Sequence, residues 1–503
     1  MRTYTLTDAQ FRSLARGGGD PDAIALLVDS QLSRRRLYLM AAAEQDSGLL
    51  EILRLVARID RAVPAAGRDL LRHPFLDTWF ARPAAERASC LGALAAATAV
   101  TAGLPFTLEV YSHDEDLVLP ALGTALGVGP GPVVLSGDGK TLTITPEHGW
   151  RPAPRLRVTG TTIEIMDADP LRDRFPDPPL PPLRPVLVRA FGRVIEQAWD
   201  LLDEEQASAM GLAVRAVVPL RAPADGTQVS ASVRGCFGAI GMSLPGDPTT
   251  AAELLIHEFQ HEKLGALLDL VKLAAEGGPA HFHAPWRPDP RPAAALMQGV
   301  YAFAGVAAFW RGHRHHLDGG ARDQAEFRYA YWREQSRYGL AQLLGSSELT
   351  PLGARFFGTL RETLESWPED SPAAGAARRR ATTIHIAWRL AHYEPDPEDV
   401  AALAQAWTRR DPAPREVAAP RITADPAPGL TALVDDVRPD PPPGDWITLA
   451  VALHTRHPIA YHRPDLLKAV HVRTGRPDLE ALARFLSTAV RQIENGAMSW
   501  STR

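Results

Sequence analysis

The spacing of apolar residues divides the chain into stretches with two different periods. Over residues 1–104 the period is helical. Thr7 and Asp8 stand where an N-cap belongs before AQFRSLARG, and Gly17–Gly19 stop that helix. Asp20-Pro21 then opens a longer helical pattern through Ile24, Leu27, Leu32 and Leu39 towards Leu55, and a further helix is predicted over Ala84–Ala102, ending at Gly103. From Leu104 the period falls to two. FTLEVYS, PVVLSGDG, KTLTITP, RLRVTG and TTIEIMD read as short strands separated by Gly, Pro and Asp. The Pro-rich segment Asp167–Pro185 reads as an extended linker.

Helix returns at 186–204, followed by strands at Val214–Leu220 and Cys236–Leu244. Pro245-Gly-Asp-Pro turns the chain into LLIHEFQHEKLGALLDL, with Thr249 or Thr250 as its N-cap. The helix predicted from Ala293 to Gly312 is apolar nearly all round and so is expected to be buried. More helices are predicted at 322–344, 350–366, 374–393, 446–456, 463–473 and 478–494, with Pro-rich spacers at 410–428 and 438–444. The expected fold is α+β and mostly helical. It has a zincin-like core of a strand leading into a helix, a small β-rich insert and a helical C-terminal region. The zincin element is an analogy at the level of fold alone. The expected division is 1–104 helical, 105–185 β-rich insert and linker, 186–345 core, and 346–503 C-terminal helices.

Composition narrows the class. The formal net charge is −5 with both signs interspersed, so the basic field that a nucleic-acid binder needs is missing. Two cysteines, Cys90 and Cys236, suggest no disulfide framework and fit a reducing, cytoplasmic setting. The N-terminus lacks the apolar stretch of a signal peptide. The run Leu91–Leu104 is shorter than the roughly 20 residues that span a bilayer, so no membrane partner is expected. The arginine run Arg34–Arg36 is read as a solvated helix face.

The candidate chemistry lies in His257-Glu258-x-x-His261. Two histidines four apart on a helix share one face, so both imidazoles can reach one metal ion, with Glu258 beside it. With zinc, Glu258 would act as general base on a metal-bound water. With Fe(II), the histidines would form part of a facial triad. The third ligand stays open among His281, His283, Asp289 and Gln298. Each also has a plain structural reading: exposed loop histidines, an arginine partner, a hydrogen-bonded core amide. In APWRPDPRP, four prolines stiffen the backbone that carries Arg287 and Arg291. An arginine fork suits a carboxylate such as the far end of 2-oxoglutarate, and a pair with Asp289 is the alternative. His385 reads as a packed core histidine, and His313, His315 and His316 as exposed residues at a helix end.

FGAIGMSLP, LLIHEFQHEKLGALLDL, APWRPDPRP and QGVYAFAGVAAFWR together resemble the HEXXH-motif proteins of bacterial peptide-maturation clusters, which are 2-oxoglutarate-dependent, HExxH-type peptide β-hydroxylases. DAQFRSLARGGGD and HPFLDTWF add to the likeness, which spans most of residues 1–410. The resemblance implies Fe(II) on His257 and His261, 2-oxoglutarate as cosubstrate with O2, and hydroxylation at the β-carbon of a residue in a ribosomally made precursor peptide. It also implies a radical-SAM maturation protein as a possible partner. Arg287 and Arg291 become candidates for the 2-oxoglutarate carboxylate. In that family a histidine often precedes the Gly-x-Tyr-Ala of the later helix. Here Gln298 takes that place, with His283 as the alternative third ligand. Glu258 then need not be a base and can orient a ligand or water instead. The rival expectations are a zinc metallopeptidase and a degenerate module that binds a peptide or partner.

Overall fold

The computed structural model describes residues 4–490 except 81, 147–148, 159, 169–174, 176–181, 225, 276, 279–280, 415–416, 424–429, 431–444 and 476–477. The described part is α+β and mostly helical, with small sheets and a helical C-terminal region. It divides into two compact units, Met1–Val271 and Lys272–Arg503. That boundary falls inside the 186–345 region expected to form one core.

The first unit begins with α1 (Asp8–Ala15), α2 (Pro21–Gln45), α3 (Leu50–Ala62), α4 (Pro64–Arg72), α5 (Phe75–Trp79) and α6 (Ala84–Thr101). The cap expected at Thr7 is a full capping box: its hydroxyl accepts from the Gln10 N–H and Gln10 bonds back to the Thr7 backbone. The single helix expected from Pro21 towards Leu55 is two. The Asp46 side chain accepts from the Gly48 N–H at 2.9 Å, a local turn that competes with helix, and a 3-10 turn over Ser47–Leu49 joins α2 to α3. Arg35 is no part of a solvated face. It is buried, pairs with Asp77 and donates to the carbonyls of Leu71 (2.9 Å) and Phe237 (2.7 Å). Its neighbour Arg34 bridges Asp77 and Asp269. A helix buried on two faces can hold such charges only by pairing them.

Strands β1 (Pro105–Ser112), β2 (Leu117–Leu119), β3 (Gly123–Leu126), β4 (Gly131–Asp138), β5 (Leu142–Thr145), β6 (Gly149–Pro152), β7 (Arg155–Val158) and β8 (Thr161–Ile165) follow. β1, β4 and β5 form one antiparallel sheet and β2, β3 and β6 another. β7 and β8 do not stay with this insert. They join β9 (Ala216–Leu220), β10 (Ser230–Ser232) and β11 (Ala239–Ser243) in a five-stranded mixed sheet of order β10-β11-β9-β8-β7. Its central pairs, β8 with β9 and β9 with β11, are parallel. The expected insert and core are therefore continuous through one sheet. Most of the linker expected over 167–185 lies outside the described residues, as does the spacer at 438–444. Between β8 and β9 the helix expected at 186–204 is α7 (Pro185–Asp200), and a further helix that was not expected, α8 (Glu204–Ala213), starts at a second capping box formed by Asp203 and Gln206. β9 and β11 are buried on both faces, as parallel strands require, and β11 leads through a turn into α9 (Pro248–Leu268).

In the second unit the ribbon of β12 (Phe282–His283) and β13 (Pro290–Arg291) precedes α10 (Ala293–His313). α10 is the one described helix long and apolar enough to cross a membrane, and 72% of its apolar window is buried. Its apolarity serves a core. Trp286 packs on it: a Cβ at Gly299 would stand 2.3 Å from the indole, and the Trp286 and Phe303 rings are 4.8 Å apart. α11 (Gly319–Leu344), α12 (Pro351–Ser366) and α13 (Ala374–His392) follow the predicted spans closely. β14 (Tyr393–Glu394) comes next, and then α14 (Pro397–Arg409), capped by Asp396 and absent from the predicted elements. β15 (Arg421–Ile422) pairs with β14. α15 (Asp445–Leu453), α16 (Ile459–His462), α17 (Pro464–Arg473) and α18 (Leu479–Val490) complete the unit and bury Leu453, Ile459, Leu466, Val470 and Leu486 in one cluster with Leu403.

Candidate metal centre

α9 begins at Asp247 and not at the threonines. Asp247 accepts from the Thr250 N–H at 2.9 Å and the Thr250 hydroxyl at 2.7 Å, and Pro248 occupies the first helical position, where its missing N–H does no harm. The helix is buried nearly all round. Glu253, Leu254, His257, His261, Gly265 and Leu268 form the only partly accessible stripe, at the three- and four-residue steps of one helix face.

The residues that face inward include an unusual number of polar groups, and each is held. Glu258 is 3% exposed and accepts from the Ser230 hydroxyl of β10 at 2.6 Å. Glu262 accepts from the Gly238 N–H at 2.7 Å. Burial pushes its carboxyl up to about 8, helped by Asp77 and Glu258, while Gly238 and Arg35 oppose the shift. Lys263 donates to the carbonyls of Gly17 (2.8 Å) and Gly18 (2.5 Å), and burial lowers it to about 7. Gln260 also donates to Gly17, at 2.9 Å. The glycine stretch that ends α1 thus clamps α9. No Cβ crowds these carbonyls, and Gly17 sits at a φ of +84° that glycine alone adopts freely. With three faces pinned in this way, the rotation of α9 about its axis is fixed and so is the direction of its histidines.

His257 and His261 point their Nε2 atoms at one another, 3.1 Å apart, with ring planes at 77°. Two imidazole nitrogens on one zinc-like ion at about 2.0–2.1 Å, in neighbouring tetrahedral positions, stand about 3.3 Å apart. The separation of this pair is close to what one shared ion would require, and it is also that of a hydrogen bond between the two rings. Burial, reinforced by His261, holds His257 well below the ordinary histidine value, so its ring stays neutral and keeps the lone pair that ligation needs. Among the described residues no group of three or more His, Cys, Asp or Glu is assembled for a metal, so the pair is the whole of this donor set.

The other candidates belong to the second unit. Arg287 and Arg291 both pair with Asp289, at 3.2 and 2.8 Å. Burial works against ionisation of Asp289, but the Arg291 hydrogen bond and the two arginine charges outweigh it and keep the carboxyl below its ordinary value. Gln298 is half-buried on α10. His281 lies 3.5 Å from Glu348. His283, expected as an exposed loop histidine, is buried: its Nδ1 meets the Tyr338 hydroxyl at 3.3 Å, its ring stacks on Trp388 at 4.6 Å, and its backbone exchanges two hydrogen bonds with the Gln342 side chain. His385 is buried as expected. His313 is buried too and stacks on Phe309 at 5.0 Å, while His315 and His316 are exposed. Ser230, Glu262 and Lys263 are absent from the residues expected from sequence. Glu262 and Lys263 carried a signal, since charged residues inside so apolar a helix need partners.

Comparison with models of known protein families finds no match, and comparison with curated proteins finds none at a significant level.

Proposed function

We propose that this protein is an Fe(II)- and 2-oxoglutarate-dependent hydroxylase that acts on the β-carbon of a residue in a ribosomally made precursor peptide, in a cytoplasmic setting. The observation that carries the metal part of this reading is the convergence of His257 and His261 Nε2 at 3.1 Å on a helix whose rotation is pinned. The substrate class rests on the resemblance of the four motifs to the peptide β-hydroxylases, as does a radical-SAM protein as partner. The path from β11 into α9 is read as zincin-like by analogy.

His257 and His261 would hold the iron; the resemblance offers Gln298, or His283 as the alternative, for a third ligand, and both belong to the second unit. The chemistry that such a site supplies when loaded is insertion of one atom of O2 into a C–H bond of the peptide, coupled to oxidative decarboxylation of 2-oxoglutarate to succinate. The protein's own groups then have defined tasks. Glu258 is buried and bound to Ser230, so it orients its surroundings and is a poor candidate for a base that must meet water. Arg287 and Arg291, which share Asp289, are the residues that the resemblance offers for the far carboxylate of 2-oxoglutarate.

The test is direct. Protein loaded with Fe(II) or with zinc is incubated with 2-oxoglutarate and the precursor peptide. Succinate and a gain of one oxygen on the peptide are expected with iron alone, and both are lost in His257→Ala. Peptide cleavage with zinc and no need for 2-oxoglutarate would replace this reading by a metallopeptidase with Glu258 as base. Peptide binding with no chemistry, unchanged in His257→Ala and Glu258→Ala, would make the protein a binding module.

A further inference from the structure

The five-stranded sheet of the first unit ends at β10, which among the described residues pairs on one side only, with β11. Its side chains alternate between two faces. Val229, Ala231 and Val233 pack against the cluster that holds Met166, Val218 and Ala239. Ser230 turns to the other face, where its hydroxyl reaches Glu258 of α9 at 2.6 Å, and the two-residue period puts Ser232 on that face as well. The backbone alternates too. The Ser243 N–H donates to the Val229 carbonyl at 2.8 Å and the register sets Ala231 opposite Gly241, so the odd-numbered residues direct their hydrogen bonds to β11. The N–H and C=O of Ser230 and Ser232 therefore point out of the sheet, and among the described residues they meet no partner there.

β9 and β11 are buried along their whole length, whereas each residue of β10 is half-buried. An open edge is a template for another strand, and native proteins commonly blunt it with a charge or a proline. Ser230–Ser232 carries neither. The outward groups of two serines can fix a short extended peptide through its main chain, but they are too small a surface to hold two copies of this chain together. The position of the edge adds a direction. Residues directly opposite one another on neighbouring strands have their Cβ atoms on the same face. A residue paired with Ser230 on a new outer strand thus has its Cβ on the face where Ser230 meets Glu258, the face covered by the helix of His257 and His261.

We propose that the outer edge of β10 is the docking strand for the peptide substrate, which adds to the sheet as a further antiparallel strand held by the backbone of Ser230 and Ser232. The identity of the occupant rests on the peptide-hydroxylase reading, and the inference extends it. The register of the peptide on β10 selects which β-carbon faces α9, so the choice of residue depends on main-chain position more than on side-chain type.

The probes are synthetic peptides that tile the small open reading frames beside the gene for this protein. Binding to the full-length protein is read by fluorescence anisotropy in a chelator, so that no turnover enters the result. Saturable binding of one peptide is expected. Methylating its backbone nitrogens one at a time is expected to weaken binding about tenfold at two positions two residues apart and to leave the position between them unaffected. Ser232→Pro removes an outward N–H without touching the β11 pairing and is expected to weaken binding about tenfold as well. Should that variant fail to fold, the methylation pattern on the wild-type protein decides. No peptide bound, equal loss at consecutive positions or at none, full affinity in folded Ser232→Pro, or a dimer of this chain that Ser232→Pro dissolves would overturn the proposal. A peptide bound in the alternating pattern and never oxidised would uphold the docking strand and count against the hydroxylase reading. Oxidation that Ser232→Pro leaves unchanged would do the reverse.

Discussion

At the residue scale, the side chains that matter most here are polar groups held in apolar surroundings. His462 shows the consequence for stability. Burial, with the Arg389 charge behind it, lowers this imidazole to about 4. An unfolded histidine takes up a proton near pH 6.5, the folded one only near 4. Between those values the unfolded state binds more protons, so stability present above pH 6.5 is lost as pH falls towards 4. His462→Gln is expected to reduce that loss by up to about 3 kcal/mol, read from urea unfolding at pH 7 and pH 4.5. Gly299 is a second case. Its hydrogen leaves room for the Trp286 indole, which a methyl group would meet at 2.3 Å. Gly299→Ala is expected to destabilise by about 1–3 kcal/mol through overpacking, with a change in the tryptophan fluorescence of the native state. Gly265, where a Cβ meets nothing, is the control: its substitution by Ala should be neutral or stabilising.

At the element scale, α9 gathers the first unit around it. Its start is fixed by Asp247, and its rotation by Ser230, Gly238 and the Gly17–Gly18 carbonyls. Asp247→Ala is expected to cost about 1 kcal/mol, seen as a lower denaturant midpoint with unchanged slope, whereas Thr249→Ala should leave the midpoint in place. The helical period of α9 was legible in the sequence, and so was the pair of histidines on one face. Which face is left partly open was not. The motif helix is apolar on both flanks, and such a pattern does not say which side will be covered. The expected N-cap at Thr249 or Thr250 missed for a simpler reason. Asp247 before Pro248 is an equally good start, and only the observed hydrogen bonds separate the choices.

At the scale of the whole molecule, an ion bound by native His257 and His261 and not by the unfolded state must stabilise the fold by mass action. At a free Fe(II) concentration 100-fold above its Kd this amounts to about 2.7 kcal/mol. A thermal scan should show the midpoint of the wild-type protein rise with Fe(II) under anaerobic conditions and fall back with chelator. The midpoint of His257→Ala should not respond. The same scale shows why the expected segmentation differed from the observed one. A strand pattern announces that a segment wants sheet partners and says nothing of which ones. β7 and β8 therefore read as part of a local insert, although they pair onward to β9 in the sheet that leads to α9.

What the sequence determined by itself is the set of local features. Capping boxes at Thr7 and Asp203, glycine stops at Gly17 and Gly103, the two periods, and the four-residue step from His257 to His261 are interactions between near neighbours, so residue type and spacing dictate them. What only the tertiary structure decided is which polar residues have partners. Arg35 read as a solvated arginine and is a buried ion pair. His283 read as a loop histidine and is stacked inside the second unit. Arg287 and Arg291 read either as open forks or as partners of Asp289, and they share Asp289. Apart from Asp289, the partners that decide these cases lie tens of residues away in the sequence. Burial, charge compensation and the direction of a metal-binding pair depend on packing that no local pattern encodes.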